Sequence, residues 1–230
     1  MSVPVGLLTG SMPFAGMADN PATILLPRFE GRVVNGIRIE TAAIDSDLAT
    51  APAALVDLIA RKRPAFVVSL GLALGAPVLK LETTAINRLS FAIADNAGAR
   101  PTDGRPIEPG GPEARFATWP AGEIVAALLE AGLPAIVSYF AGTHMCNATL
   151  YTVLGAMQAE GLTGPAGFLH LPYLPSQVAA FLRTAPPEGD AAPTRPRDLP
   201  SMSQTEQERA LEILLAIVAG RASSRREPTP

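Results

Sequence analysis

The residues best suited to covalent chemistry begin with a single cysteine. Cys146 is the only cysteine in the 230-residue chain, and it follows an apolar run and a small-residue turn at the predicted start of a helix. The unpaired N–H groups and the positive end of the helix dipole favour a thiolate there, and the same N–H groups could hold an oxyanion. A lone cysteine is more often a small buried apolar residue. Cys146 taken alone therefore does not decide between these interpretations.

Two histidines, His144 and His170, compete to act as a base for this thiol. His170 closes a predicted buried strand, and the crevice of a parallel α/β sheet lies at the carboxyl ends of its strands. Since Cys146 follows one strand and His170 ends another, we expect both to face that crevice. His170 would take the thiol proton and return it to a leaving amine. His144 is disfavoured because side chains two residues apart on a helix do not face each other; a purely structural His170 is the alternative.

Glu82 is the third candidate, since it interrupts an apolar segment that we predict to be a strand. A buried carboxylate is costly unless it is paired, and Glu82 would be paired if it accepted the second ring N–H of His170. Strand alternation equally allows an outward-facing Glu82 that pairs with Lys80. The residues alone leave both alternatives open.

Composition excludes several classes of protein. Hydrophobic residues make up 48% and charged residues 17% of the chain, which suits a packed core, and the net charge of −3 excludes a strongly basic nucleic-acid surface. One cysteine excludes an intrachain disulfide and a multi-cysteine zinc site. No basic residue precedes Arg28, and the longest uncharged apolar stretch, Ala65 to Leu79, is shorter than the roughly 18 residues of a spanning helix. We expect a soluble cytoplasmic protein with neither a nucleic-acid nor a membrane partner.

The elements that must position these residues alternate between strands and helices, which predicts an α/β sheet covered on both faces. Strands are predicted at 3–8, 65–70, 78–86, 135–140 and 166–171, with a hairpin around Asn35-Gly36. Helices are predicted at 51–63, 120–131, 147–160 and 176–183, with a short one after Asn20 that Pro27 ends early. Residues 95–118 are predicted to be a surface loop.

One domain is predicted over residues 1–220. Within it, residues 184–200 form a proline-rich surface loop, and residues 203–219 form a C-terminal helix that starts with a Ser203–Glu206 capping box. Residues 221–230 are predicted to be a flexible tail.

A series of short motifs follows in order along nearly the whole chain. They are Thr9-Gly10-Ser11-Met12-Pro13-Phe14-Ala15-Gly16 with Asn20-Pro21, Gly71 to Gly75, Glu82 with Ala85-Ile86-Asn87, Asp95-Asn96, Ala141-Gly142-Thr143 before Cys146-Asn147, residues 167–173, and residues 200–203. This series resembles the pyroglutamyl peptidase I family of cysteine peptidases. The resemblance implies Cys146 as nucleophile, His170 as base and acid, and Glu82 as the residue that orients His170. It also implies a three-layer, phosphorylase/hydrolase-like α/β/α fold with a mixed, mostly parallel sheet. The activity that it implies is the removal of N-terminal pyroglutamyl residues, without a metal or an organic cofactor. A homo-oligomer, either a dimer or a tetramer, is implied as well.

The resemblance further implies a pocket for the lactam ring, whose substrate-binding residues would be Phe14, Ser11, Leu72 and Asn20. The family's first motif usually reads Thr-Gly-Phe-Glu-Pro-Phe-Gly-Gly, so Ser11 replaces a pocket Phe.

Four further positions depart from the family pattern. Met12 replaces a Glu, Ala15 replaces a Gly, and Ala76 and Ala92 replace Arg residues. Met12 or Phe91 could fill the space left at the pocket. These changes keep open a cysteine amidohydrolase for another small lactam, cyclic amide or acyl group, and a non-catalytic binding protein on the same fold.

Overall fold

A seven-stranded sheet forms the centre of the computed structural model, which describes residues 3–183 and 198–224. The nine strands within these residues are β1 (Val5–Ser11), β2 (Val33–Val34), β3 (Ile37–Ile44), β4 (Phe66–Leu72), β5 (Leu79–Glu82), β6 (Thr84–Ile86), β7 (Ala114–Phe116), β8 (Ala135–Ser138) and β9 (Ala166–Leu171). The main sheet has the order β2-β3-β1-β4-β9-β5-β8, and β6 pairs with β7 in a separate antiparallel ribbon. Strands β3, β1, β4 and β9 run parallel, whereas β5 runs antiparallel to β9 and parallel to β8.

In the described part of the chain, six helices surround this sheet: α1 (Pro21–Phe29), α2 (Ala51–Lys62), α3 (Ala121–Glu130), α4 (Met145–Ala159), α5 (Pro175–Arg183) and α6 (Gln204–Ser224). Apolar side chains of α1, α3 and α6 form one core on one face of the sheet, and those of α2 and α4 form a second core on the other face. The sequence prediction of a three-layer α/β/α fold is therefore confirmed. No helix within the described residues is long and apolar enough to span a bilayer.

Local signals located several elements correctly. Asn35 and Gly36 both have positive φ angles, of 48° and 76°, as the predicted two-residue hairpin turn between β2 and β3 requires. The Ser203–Glu206 capping box is present: the Glu206 side chain accepts from the Ser203 N–H at 2.9 Å, and the Glu206 N–H donates to the Ser203 hydroxyl at 3.2 Å. Both devices depend only on neighbouring residues, which is why the sequence reveals them.

Several boundaries differ from the predictions. Helix α1 contains Pro27 and continues to Phe29, because a proline in the last turn removes only one helical hydrogen bond. Helix α6 reaches Ser224 instead of residue 219, since Ala222 is buried in the core, so residues 221–224 are helical and not part of a flexible tail. Most of the predicted proline-rich loop, residues 184–197, and the rest of the predicted tail lie outside the described residues.

Two errors concern the part of the fold that holds the site. The predicted strand 78–86 divides at Thr83, where the chain leaves the main sheet and β6 pairs with β7. The predicted loop 95–118 therefore contains a strand, and it is anchored by the buried carboxylate of Asp95, which accepts from the N–H groups of Leu48, Ala97 and Ala99. Its polar composition reflects these internal hydrogen bonds as much as exposure to solvent.

Candidate active site

Glu82 and His170 are brought together by the antiparallel pairing of β5 and β9. In this register Glu82 lies opposite Phe168, two residues from His170, so both side chains project from the same face of the sheet. The His170 Nδ1 atom lies 2.7 Å from the Glu82 Oε1 atom. Both residues are buried, with 1% of Glu82 and 8% of His170 exposed. The alternative of an outward-facing Glu82 paired with Lys80 is therefore wrong.

Cys146 is the second residue of α4 and lies over the β4–β9 pair. A Cβ atom placed on Gly71 would be 3.3 Å from the Cys146 Sγ atom and 2.6 Å from the Phe168 Cζ atom. Gly71 lies directly opposite His170 in the β4–β9 register. Only a glycine leaves room for the thiol to lie this low over the sheet, next to the imidazole of His170.

The start of α4 also supplies free hydrogen-bond donors beside the thiol. The first helical hydrogen bond runs from the Ala148 N–H to the His144 carbonyl at 3.1 Å. The N–H groups of residues 145–147 consequently have no acceptor within the helix. They can hold negative charge that develops next to Cys146.

The chain reaches this position by a different route from the one expected. Strand β8 runs opposite to β9, so the carboxyl ends of these two strands lie at opposite edges of the sheet. The segment 139–144 returns alongside the segment that follows β5. The Ala141 N–H donates to the Thr84 carbonyl at 3.2 Å, and the Ser90 N–H donates to the Thr143 carbonyl at 3.1 Å. The predicted proximity of Cys146 and His170 is present, but the reason given for it is wrong.

The electrostatic environment of His170 favours the imidazolium form. Burial lowers the pKa of His170, but the charge and hydrogen bond of Cys146 and those of Glu82 outweigh burial and raise the pKa to about 9. A protonated His170 then lies between the two acidic groups at neutral pH. This arrangement places a proton donor next to the Cys146 sulfur, which is the combination that nucleophilic catalysis by a thiol requires.

His144 has a different role from His170. It is the N-cap residue of α4, and its Nε2 atom lies 3.0 Å from the Ile93 carbonyl oxygen. Its ring packs 4.0 Å from the ring of Phe91 and 6.2 Å from that of Phe14, measured between centroids. Burial lowers the pKa of His144, so it is neutral at pH 7. It supports the wall of the site, with the buried Phe91 behind it.

A cavity of about 310 Å³ opens in front of these residues. It is lined by Phe14, residues 72–74, Lys80, Glu82, Ser90, Ala92, Ile93, residues 140–144, Cys146 and His170. Of the residues predicted to bind substrate, Phe14 and Leu72 line this cavity. Ala92, which sequence reasoning associated with the pocket, also lines the cavity. Sequence reasoning missed Lys80 and Phe140, although each lies within two residues of a motif that it recognised.

Ser11 and Asn20 do not line the cavity, in contrast to the prediction. The Ser11 hydroxyl donates to the Leu70 carbonyl at 3.2 Å, and the fully buried Asn20 caps α1 by accepting from the Ala22 N–H at 3.0 Å. The Asn20 amide also donates to the Met12 carbonyl at 3.2 Å. The polar atoms of both side chains are hydrogen-bonded to backbone groups, and these hydrogen bonds fix the loop that carries Phe14.

The comparisons with known proteins agree with this geometry. The sequence profile of the pyroglutamyl peptidase family matches residues 5–219. The chain belongs to the pyroglutamyl peptidase family. It is 40% identical over 177 residues to the pyrrolidone-carboxylate peptidase of Gloeobacter violaceus, an alignment that covers 76% of this chain and 84% of the relative. It is 35% identical over 212 residues to that of Klebsiella pneumoniae, covering 92% and 91% of the two chains.

Solved structures of family members share the fold of this one. The pyrrolidone carboxyl peptidase of Thermococcus litoralis superposes with a TM-score of 0.85 at 27% identity, covering 99% of this chain and 98% of the other. The pyroglutamyl peptidase I of Bacillus amyloliquefaciens gives a TM-score of 0.83 at 29% identity, covering 95% and 98%. This pyroglutamyl peptidase family member is thus a cysteine peptidase by family, and its α/β/α fold is that of the solved relatives. No cluster of three or more side chains suited to a metal ion occurs in the described part of this family member.

Proposed function

We propose that this protein removes N-terminal pyroglutamyl residues from peptides, with Cys146 as the nucleophile. The observation that carries the proposal is the buried Glu82–His170 hydrogen bond of 2.7 Å, because both of its residues line the same cavity as the Cys146 thiol. The three side chains come from β5, β9 and the start of α4, which are packed elements and therefore hold the geometry without a substrate. The family match and the curated relatives, which are named for this activity, support the same assignment.

Each of these residues has a step in the proposed mechanism. The Cys146 sulfur attacks the pyroglutamyl carbonyl carbon, and the N–H groups at the start of α4 stabilise the oxyanion that forms. The His170 imidazolium gives its Nε2 proton to the nitrogen of the departing peptide as the C–N bond breaks, which leaves a thioester on Cys146. The neutral His170 then takes a proton from water, the hydroxide adds to the thioester carbon, and the C–S bond breaks. Pyroglutamate leaves and the thiolate–imidazolium pair is restored.

Cavity size and lining suit a small neutral ring. A volume of about 310 Å³ with Phe14 and Leu72 in its wall accommodates a five-membered lactam in largely apolar contact. The ring has no chain upstream of it, so a pocket that admits only the ring beyond the thiol restricts cleavage to the first residue. Phe14 supplies the aromatic contact that Ser11 does not.

A second candidate function is hydrolysis of another small cyclic amide or acyl group by the same residues. Ala92 lines the cavity and carries no charge, although the family usually has an Arg at this position. This change alters the pocket wall and leaves the Cys146, His170 and Glu82 arrangement as it is.

A matched set of amides tests both candidates. Pyroglutamyl, prolyl and N-acetylglycyl amides of one fluorogenic amine are given to the reduced wild-type protein and to Cys146→Ala. We expect turnover of the pyroglutamyl amide above the others and its loss in Cys146→Ala, with an unchanged Tm as evidence of folding. Faster turnover of another amide would favour the second candidate, and pyroglutamyl turnover by Cys146→Ala would contradict the proposed nucleophile.

Two further properties are proposed with this function. We place the protein in the cytoplasm, because a lone nucleophilic thiol suits a reducing compartment. We also propose that it forms the dimer or tetramer that its resemblance to the family implies, which light scattering of the purified protein measures directly.

A further inference from the structure

Lys80 lies beside the catalytic residues on the same strand as Glu82. It is directly opposite His170 in the β5–β9 register, so its side chain emerges from the sheet face that carries Glu82 and His170. It is half-buried and lines the same cavity as Cys146. The proposed mechanism gives Lys80 no part in bond making or breaking.

No carboxylate pairs with this ammonium within the part of the chain that the structure describes. The sequence contains only one other lysine, Lys62, and that residue is paired with Glu40 at 2.8 Å. Glu82 is the acidic residue nearest to Lys80 in sequence, but its Oε1 atom is hydrogen-bonded to His170, and its Oε2 atom is buried without a hydrogen-bond partner among the described residues. Lys80 therefore presents an unneutralised positive charge at the cavity.

The other titratable side chains that line the cavity set the electrostatic environment of the Lys80 ammonium. The titratable groups that line the cavity are Lys80, Glu82, His144, Cys146 and His170. Glu82 and His170 are paired with each other, and burial lowers the pKa of His144, so it adds no cation at pH 7. Among the described residues that line the cavity, Lys80 is therefore the cation without a carboxylate partner, and it is a free donor of charge-assisted hydrogen bonds.

We propose that Lys80 makes this enzyme prefer pyroglutamyl substrates that carry a carboxylate next to the bond that is cleaved. This inference rests on the proposed function. The lactam ring is neutral and does not need a cation, so the matching anion belongs to the residue that leaves: an acidic side chain, or the α-carboxylate of a dipeptide. A partly exposed ion pair of this kind corresponds to a preference of about 5- to 20-fold.

An isosteric substrate pair measures this preference. Pyroglutamyl-glutamate amide and pyroglutamyl-glutamine amide differ in one charge and almost nothing in shape, and the amines they release are quantified together by liquid chromatography. The readout is the ratio of kcat/KM for the two substrates at low ionic strength. Wild-type enzyme is expected to favour the glutamate substrate about 5- to 20-fold, and the ratio should fall as salt is added because the charges are partly exposed.

Variants then assign the effect to Lys80. In Lys80→Met we expect the ratio to drop to one or below, while Lys80→Arg, which keeps the charge, retains a preference for glutamate. Lys62→Met is the matched control and should keep the wild-type ratio. A wild-type ratio at or below one, or a ratio unchanged in Lys80→Met, would overturn the inference while pyroglutamyl hydrolysis itself stands. Failure of the wild-type enzyme to cleave either substrate would instead contradict the proposed function.

Discussion

Replacing Glu82 by Gln removes the negative charge beside His170 and keeps the size of the side chain. A hydrogen bond to a charged group contributes about 1.5–3 kcal/mol, and a neutral one about 0.5–1.5 kcal/mol. Because the Gln carbonyl oxygen can still accept from the ring at the observed 2.7 Å, the loss is the difference, about 1–1.5 kcal/mol. If this stabilisation is needed when the imidazolium acts, kcat/KM for a pyroglutamyl amide falls by about 5- to 12-fold.

The same substitution should change the pH profile of the enzyme. His170 must be protonated to donate to the leaving amine, so wild-type activity is lost as the pH rises through its pKa of about 9. Glu82 is one of the groups that raise this pKa. In Glu82→Gln the alkaline limb therefore moves to lower pH. Rates of a fluorogenic pyroglutamyl amide between pH 5 and pH 10, as kcat/KM, measure both effects.

Glu113→Gln is the control for this experiment, since the Glu113 side chain is 80% exposed and pairs with Arg88 at the surface. It should leave both the rate and the profile unchanged. A Glu82→Gln enzyme with kcat/KM within twofold of wild type and the same alkaline limb would refute the role assigned to Glu82. An unchanged Tm would exclude misfolding as the cause of a large loss.

Three further predictions concern stability and packing. Ala15 has a φ angle of 55°, so Ala15→Gly should raise the free energy of unfolding, measured by urea titration, by about 0.5–1 kcal/mol. As a control, Ala53→Gly on the exposed face of α2 should lower it by about 1 kcal/mol. A destabilised Ala15→Gly protein would contradict the backbone argument. Gly71→Ala should destabilise the protein by about 1–3 kcal/mol and reduce kcat/KM at least tenfold. The reason is that the new Cβ atom would lie 2.6 Å from the Phe168 ring and 3.3 Å from the Cys146 sulfur. Wild-type activity and stability in this variant would show that the close approach is wrong. The raised pKa of His170 contributes stability that is fully present below the ordinary pKa of 6.5 and is lost as the pH rises through about 9. The free energy of unfolding should therefore fall over this pH range in wild type, and less in Cys146→Ala. Equal slopes of unfolding free energy against pH would contradict the coupling between the two residues.

Sequence signals that act locally predicted most of the fold. Strand β9 has the predicted limits of Ala166 and Leu171, and α2 ends one residue before the predicted position. Buried apolar runs and helix-terminating residues determine both elements, and neither depends on distant partners. Cys146 at the start of α4 was located for the same reason.

Features that depend on pairing between distant segments were not predictable. The apolar run 135–140 predicts a buried strand, but β8 is an edge strand that ends at Ser138, and Ile136, Tyr139 and Phe140 are 46%, 74% and 54% exposed. The antiparallel direction of β5, which brings Glu82 to His170 and Lys80 to the cavity, is not encoded in any short pattern. Periodicity gives the face of a residue within its own strand, but the neighbouring strand decides what that face contacts.

Contacts of the predicted substrate-binding residues depend on the same long-range information. Asn20 and Ser11 flank the loop of Phe14 in sequence, but their polar atoms are directed to backbone groups of the loop and of β4. Motif proximity therefore identified the correct loop, and only the three-dimensional structure separates the residue that faces the cavity from those that support it.

The most direct test of Cys146 as the nucleophile is the mass of the enzyme during reaction. An activated ester of pyroglutamate acylates the enzyme faster than water removes the acyl group, so an acid quench followed by peptide mapping captures the intermediate. We predict one pyroglutamyl group on the peptide that contains Cys146, and none on that peptide in Cys146→Ala. Turnover of the ester by an enzyme whose pyroglutamyl group is found on another residue would contradict the assignment of Cys146 as the nucleophile.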